Sequence, residues 1–382
     1  MAPTDPAHVV ENLATLHDTW PDLRNVTLIG LDLRQEPLDW AEARLDHTLV
    51  LGCRLPAGVV DLLTARGVGV FPPLSGVPFE PYRAELYTYD ELAERVASGD
   101  SPGISMDAHI AEWFVSSSTS VHDAVIRALH DATVDAAVAS FVAGRRVVGV
   151  MGGHALDRDA PFYRTVATLG RALTRARFCV ATGGGPGVME AANLGAWMAA
   201  FADDALDDAL AMLAPVPNYA TDAHDYVERA LAVRARWPRG GESLGVPTWV
   251  YVDEPTSAFA SHIAKYFTNS IREDGLLAIA RSGVVYAPGG AGTEQEIFTD
   301  TAQNSLTLYK VRSPMIFFGR QFFDHEHPEL ATAARRQAEA FGWPELVAVC
   351  DEPDQVVAFI GEHDPDAAGR AGVERRRTHQ DS

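Results

Sequence analysis

Gly283-Val284-Val285-Tyr286-Ala287-Pro288-Gly289-Gly290-Ala291-Gly292-Thr293-Glu294-Gln295-Glu296 joins an unbroken apolar run to a glycine-rich turn and then to a helical pattern. The same design occurs twice upstream. Arg146–Met151 runs into Gly152-Gly153-His154, and Phe178–Thr182 runs into Gly183-Gly184-Gly185-Pro186-Gly187-Val188-Met189-Glu190. Short apolar runs without polar alternation are strands buried on both faces, which is the condition of a parallel sheet covered by helices. Further strands are expected at Thr248–Val252, Met315–Phe318 and Leu346–Cys350. Helices are expected at Phe162–Arg175, Val188–Ala199, Ser257–Ala280, Glu294–Ser305, Pro328–Ala340 and Pro353–Ile360. This alternation predicts an α/β fold, a doubly wound parallel sheet whose ligand site lies at the carboxyl ends of the strands near a topological switch point.

The remaining chain divides around this core. Residues 1–105 carry a smaller α/β pattern, with strands at Val26–Gly30, His47–Leu51 and Val68–Phe71 and a helix over Val59–Ala65. A short helix is expected over Leu92–Ala97, before a polar linker at residues 98–103. Residues 106–144 read as bridging helices, with Ser116–Ser120 a hinge, Ser120 an N-cap and Gly144 a C-cap. Residues 145–362 form the glycine-loop domain. It is interrupted over 203–245 by helical stretches that suit a lid or a dimer surface, and residues 363–382 read as a disordered tail.

Composition narrows the function classes. Lysine and arginine total 31 against 52 aspartate and glutamate, for a formal charge of −21. Duplex affinity is built from cationic side chains neutralising phosphates, so no nucleic-acid partner is expected. No apolar run reaches the about 18 residues of a membrane helix, and the N-terminus lacks the pattern of a signal peptide. No membrane partner is expected, and the expected location is the cytoplasm. Cys53, Cys179 and Cys350 show neither disulfide nor zinc spacing. The scattered histidines lack metal spacing, and neither a metal nor a cofactor is expected.

Glycine at a strand-to-helix junction lets the backbone approach a ligand while first-turn amides point at an anion. Three such loops on one sheet edge predict a shared phosphate-containing ligand. A P-loop is excluded, because neither Lys265 nor Lys310, the only lysines, follows a glycine. A dinucleotide fingerprint fails too, since Val188 stands where its third glycine belongs.

Residues 288–296 fit P-G-G-x-G-T-x-x-E, and the chain here resembles the LOG family, the cytokinin riboside 5′-monophosphate phosphoribohydrolases and related bacterial proteins long mislabelled lysine decarboxylases. Residues 183–191 are similar to the same family's other glycine motif. The resemblance spans Arg145 to Ile360, and the extra N-terminal region is similar to that of longer bacterial members, including pyrimidine/purine nucleotide 5′-monophosphate nucleosidases. It implies hydrolysis of the N-glycosidic bond of a nucleoside 5′-monophosphate such as AMP, giving free base and ribose 5-phosphate, by a homodimer or higher homo-oligomer. The family's glutamate falls on Glu296 and its catalytic arginine on Arg272, with Arg281 the alternative. Glu273 stands where the family has lysine, and His154 where serine is common. Substrate and phosphate contacts are expected from Gly152, Gly153, His154, Gly183, Gly184, Gly185, Gly187, Met189, Glu190, Gly289, Gly290, Gly292 and Thr293.

These residue types suit the reaction. Glycosidic cleavage develops positive charge on the ribose and negative charge on the base, and a carboxylate near the sugar stabilises the first and orients water. Thr293 and Glu296 are three residues apart and share a helix face. Glu190 has an alternative reading as a helix-start charge, and Lys265 and His262 read as solvated or packed. A pyridoxal phosphate decarboxylase would need a Schiff-base lysine in a glycine loop, and none is there. The competing reading is a non-catalytic carrier of a nucleotide or of a ligand like molybdenum cofactor, for which a carboxylate facing the anomeric carbon has no use.

Overall fold

The computed structural model describes residues 8–98, 101–117, 120–251 and 254–365. These residues form two compact units. One gathers the chain up to Leu86 with Ala93–Phe141, and the other gathers Tyr87–Leu92 with the chain from Val142 onward.

The N-terminal unit holds β1 (His8–Val10), α1 (Leu13–Thr19), β2 (Val26–Ile29), β3 (Leu49–Leu51), α2 (Val59–Ala65) and β4 (Gly69–Phe71). The strands make a parallel sheet in the order β1-β2-β3-β4. Val10, Leu16, Leu28, Val50 and Leu63 form its core. β1 and α1 were not expected from the sequence. The expected helix over Leu92–Ala97 is displaced. α3 (Tyr89–Ala93) ends early, and β5 (Arg95–Ser98) pairs antiparallel with β6 (Ser101–Ser105) where a linker was expected; Gly99 and Asp100 lie outside the described residues. α4 (Met106–Ser116) and α5 (Val121–Val142) follow. The Ser120 hydroxyl accepts the Asp123 amide at 3.1 Å, as an N-cap does, and Gly144 takes the left-handed conformation at φ +72. Ser118 and Thr119 of the expected hinge lie outside the described residues.

The C-terminal unit is built on seven parallel strands: β7 (Val147–Met151), β8 (Cys179–Thr182), β9 (Ser243–Gly245), β10 (His262–Ile263), β11 (Gly283–Tyr286), β12 (Met315–Phe318) and β13 (Val347–Cys350). Their order is β10-β9-β8-β7-β11-β12-β13. The chain winds outward from β7 in one direction as far as β10, then crosses to β11 on the other side. The switch point therefore lies between β7 and β11. Every residue of β7, β8, β11 and β12 is buried, which is why these strands read as unbroken apolar runs.

Helices α6 (Pro161–Arg175), α7 (Val188–Met198), α8 (Asp203–Leu213), α9 (Ala223–Arg236), α10 (Asn269–Ile279), α11 (Ala291–Leu306), α12 (Pro328–Phe341) and α13 (Pro353–His363) complete the unit, with a π-helical turn at Gln321–Glu326. Two expectations are corrected. Thr248–Val252 is not a strand: Thr248 makes one isolated bridge to Tyr266, and Val252 lies outside the described residues. The strand beside β8 is Ser243–Gly245, cut short by Pro247, which has no amide to give a ladder. The expected helix Ser257–Ala280 is helical only from Asn269. Phe259, Ile263 and Phe267, which read as helical spacing, are instead buried from turns and from β10. At the C-terminus, Asp364 is buried against Arg146 with Nε to Oδ2 at 2.5 Å, whereas residues 366–382 of the expected tail lie outside the described residues.

Candidate functional site

The three glycine loops leave the adjacent strands β8, β7 and β11 and are joined through their backbones. The Gly153 amide donates to the Pro288 carbonyl at 3.0 Å, and the Val188 amide donates to the Gly153 carbonyl at 3.1 Å. The first loop is thus clamped between the other two. Gly187 sits at φ +69, and a Cβ there would lie 2.5 Å from the Gly153 carbonyl oxygen. Such a position admits only glycine. Gly290 and Gly292 differ: a Cβ on either would meet nothing within 4 Å. They begin α11, whose first-turn amides and positive dipole end open onto this edge of the sheet. Thr293, nearly buried, stands against Gly289.

Arg272 projects from the first turn of α10, with 8% of its surface exposed. Its Nε donates to the Val246 carbonyl at 2.9 Å, and its guanidinium lies against Gly183. Arg272 Nη1 stands 3.7 Å from Glu296 Oε1, close enough for charge attraction but too long for a hydrogen bond. Burial pushes the Glu296 carboxyl up to about 7, against the pull of Arg272 and with a further push from Glu273. The result is a carboxyl that exchanges its proton near neutrality, the property a general base requires. Arg281, the alternative arginine, lines a small cavity with Asp300, Gln303 and Asn304 beyond the other end of α10.

A second carboxyl enters this group from the segment before β10. Glu254 Oε1 lies 3.3 Å from His154 Nδ1, on the first glycine loop. Its Oε2 lies 3.2 Å from the point where a Cβ on Gly185 would stand. Burial raises the Glu254 carboxyl, while His154 and Arg272 pull it back. No spacing in the sequence marks Glu254. It is delivered by the Ser257 amide, which donates to the Gly184 carbonyl at 2.8 Å and folds the segment over the second loop. The Met189 side chain packs on the same loop, against Gly183 and Gly185.

Glu190 stands apart from these residues. Its carboxylate accepts two bonds from Arg158, at 2.9 and 2.5 Å, and one each from the hydroxyls of Tyr163 at 2.8 Å and Tyr226 at 2.7 Å. Against the penalty of burial, Arg158 and the hydroxyls hold the carboxyl below its usual range. Arg158 also donates to the Tyr226 carbonyl. The group therefore ties α6, α7 and α9 together, and the interrupting segment is packed into the unit by it. Lys265 is buried, donating to the Thr256 hydroxyl at 2.8 Å and lying over the Trp249 ring. His262 meets the Ser261 hydroxyl.

Residues 145–200 match the SLOG cluster4 family. That span carries β7, α6, β8, the first two glycine loops and α7, and it ends before Glu254, Arg272 and Glu296. No curated protein matches the chain. Among solved structures, the chain is similar to the molybdenum cofactor binding protein from Rippkaea orientalis, at 17% identity and a TM-score of 0.34, over 57% of this chain and 96% of that one. It is also similar to the molybdenum cofactor carrier protein from Chlamydomonas reinhardtii, at 16% identity and a TM-score of 0.33, over 57% and 98%. Among the described residues, no helix is long and apolar enough to cross a membrane.

Proposed function

We propose that the C-terminal unit hydrolyses the N-glycosidic bond of nucleoside 5′-monophosphates, releasing free base and ribose 5-phosphate. The observation that carries this reading is the half-buried, loosely paired Glu296 beside Arg272 at the rim of three joined glycine loops. The 5′-phosphate sits at the start of α11, on the amides of residues 290–292 and the Thr293 hydroxyl, where an anion is favoured. Glu296, one turn further along, reaches the ribose. There it takes a proton from water and its developing charge offsets that of the oxocarbenium-like transition state. Arg272 neutralises charge on the phosphate or on the departing base. In this reading the reaction needs neither metal nor organic cofactor, and the working form is a homodimer or higher homo-oligomer.

Incubation of the full chain with AMP, CMP and GMP, followed by chromatography for free base, tests the reading. Base release by the wild type and its loss in Glu296→Gln are the expected results. Tight nucleotide binding without release by either form would identify a carrier instead.

A further inference from the structure

We infer that Glu254 is the general acid that protonates the departing base, which makes the site a two-carboxyl device. The inference rests on the nucleosidase reading and adds a residue that neither the glycine motifs nor the matched family span contains.

A nucleobase leaves poorly as an anion, so cleavage is helped by a proton donor on the base as well as by a base for water. Glycoside hydrolysis in general uses two carboxyls for these two tasks. Arg272 interacts with both carboxyls, standing 3.7 Å from Glu296 and pulling electrostatically on Glu254. Each carboxyl arrives on a different element: Glu296 on the helix that begins at the third loop, Glu254 on the segment folded over the second. In this inference the phosphate lies at the start of α11, the ribose at Glu296 and the base on the side of the second loop, where Glu254 stands against Gly185. His154 engages Oε1, and Oε2 is the oxygen nearest Gly185. Burial favours the protonated form of Glu254, as an acid catalyst requires. His154, 3.3 Å from that carboxyl, has 56% of its side chain exposed, so this end of the site meets solvent.

In the step, the bond from C1′ to the base nitrogen breaks and its electron pair goes to the base. A base nitrogen takes the Glu254 proton. Water adds its oxygen to C1′ and gives a proton to Glu296. Glu296 then releases that proton to solvent, and Glu254 regains one, so both return to their starting states.

Two substrates separate this role from others: AMP, and 4-nitrophenyl ribofuranoside 5-phosphate, whose nitrophenolate leaves without a proton. Glu254→Gln is expected to lower kcat on AMP by roughly 10²–10⁴-fold while keeping turnover of the nitrophenyl substrate within a few-fold of wild type. Retained turnover also reports a folded site. Glu296→Gln is expected to lose both substrates. Equal loss on both by Glu254→Gln, or loss on neither, overturns the acid role while leaving the nucleosidase reading intact. A wild type inert to both substrates overturns the nucleosidase reading and the acid role with it.

Discussion

Helices α7 and α11 begin alike in the sequence, each with a glycine-rich loop after a buried strand and a glutamate within its first residues. The structure gives the two glutamates opposite surroundings. Glu190 spends its carboxylate on four protein donors and is held ionised. Glu296 keeps 12% of its side chain exposed against 3% for Glu190, yet its nearest cation stands 3.7 Å away and its carboxyl is pushed up to about 7. A buried charge held by four donors is a fastening. A buried carboxyl left half-answered stays reactive, with protonation poised near neutral pH. The difference lies in what neighbouring elements bring. α6 and α9 supply Tyr163 and Tyr226 to the first, with Arg158 from the loop ahead of α6, whereas α10 supplies one arginine, already committed to the Val246 carbonyl, to the second.

This contrast is exposed most strongly by paired substitutions. Glu296→Gln is expected to lower kcat by roughly 10²–10⁴-fold, the usual worth of a general base, with little change in Tm, because Gln keeps the shape of a carboxyl already partly protonated near neutral pH. Next in size is Glu190→Ala. Removing one partner of a buried ion pair strands Arg158 and costs about 3–5 kcal/mol, read from urea unfolding. A loss of activity in Glu190→Ala without loss of stability would break the contrast. Gly187→Ala is expected to cost about 1–3 kcal/mol, because a side chain there is strained at φ +69 and strikes the first loop.

The smallest effect is in pH dependence, and its sign differs between the two carboxyls. Glu190 is depressed when folded, so its contribution to stability is present above the unfolded value of 4.5 and is lost as pH falls through the lower folded one. Glu296, and Asp300 one turn on, are raised to about 7 by burial. Tyr286 and Ser313 oppose the rise for Asp300, and Arg272 opposes it for Glu296. The folded protein holds these two protons more tightly than the unfolded chain. Their contribution is complete below about 4 and is lost as pH rises through about 7. Glu296→Gln and Asp300→Asn should each flatten the decline of Tm between pH 5 and 8, a range set by those raised values, while Glu190→Gln leaves it in place. Equal slopes in all three variants would contradict the assignment.

Much of this was legible in the chain. The unbroken apolar runs at β7, β8, β11 and β12 announced a doubly covered parallel sheet, and their loops announced where it opens. Arg272 and Glu296 were legible through the resemblance to the LOG family, and the structure brings them within 3.7 Å of each other. What escaped depends on partners distant in sequence. Ser257–Phe267 carries helical spacing but is pulled into turns and β10 by hydrogen bonds to Gly184, Gly245 and Tyr87. Glu254 rides on that segment, so its place was invisible for the same reason. The different fates of Glu190 and Glu296 were equally hidden, because Tyr226 reaches the former from α9 across an intervening helix.

The most direct measurement is release of free base from AMP by the wild type and by Glu296→Gln, matched for folding by Tm. The account predicts free adenine and ribose 5-phosphate from the wild type and at least about a 100-fold slower release from the variant. Equal rates in the two, or no release by either at saturating AMP, would contradict it.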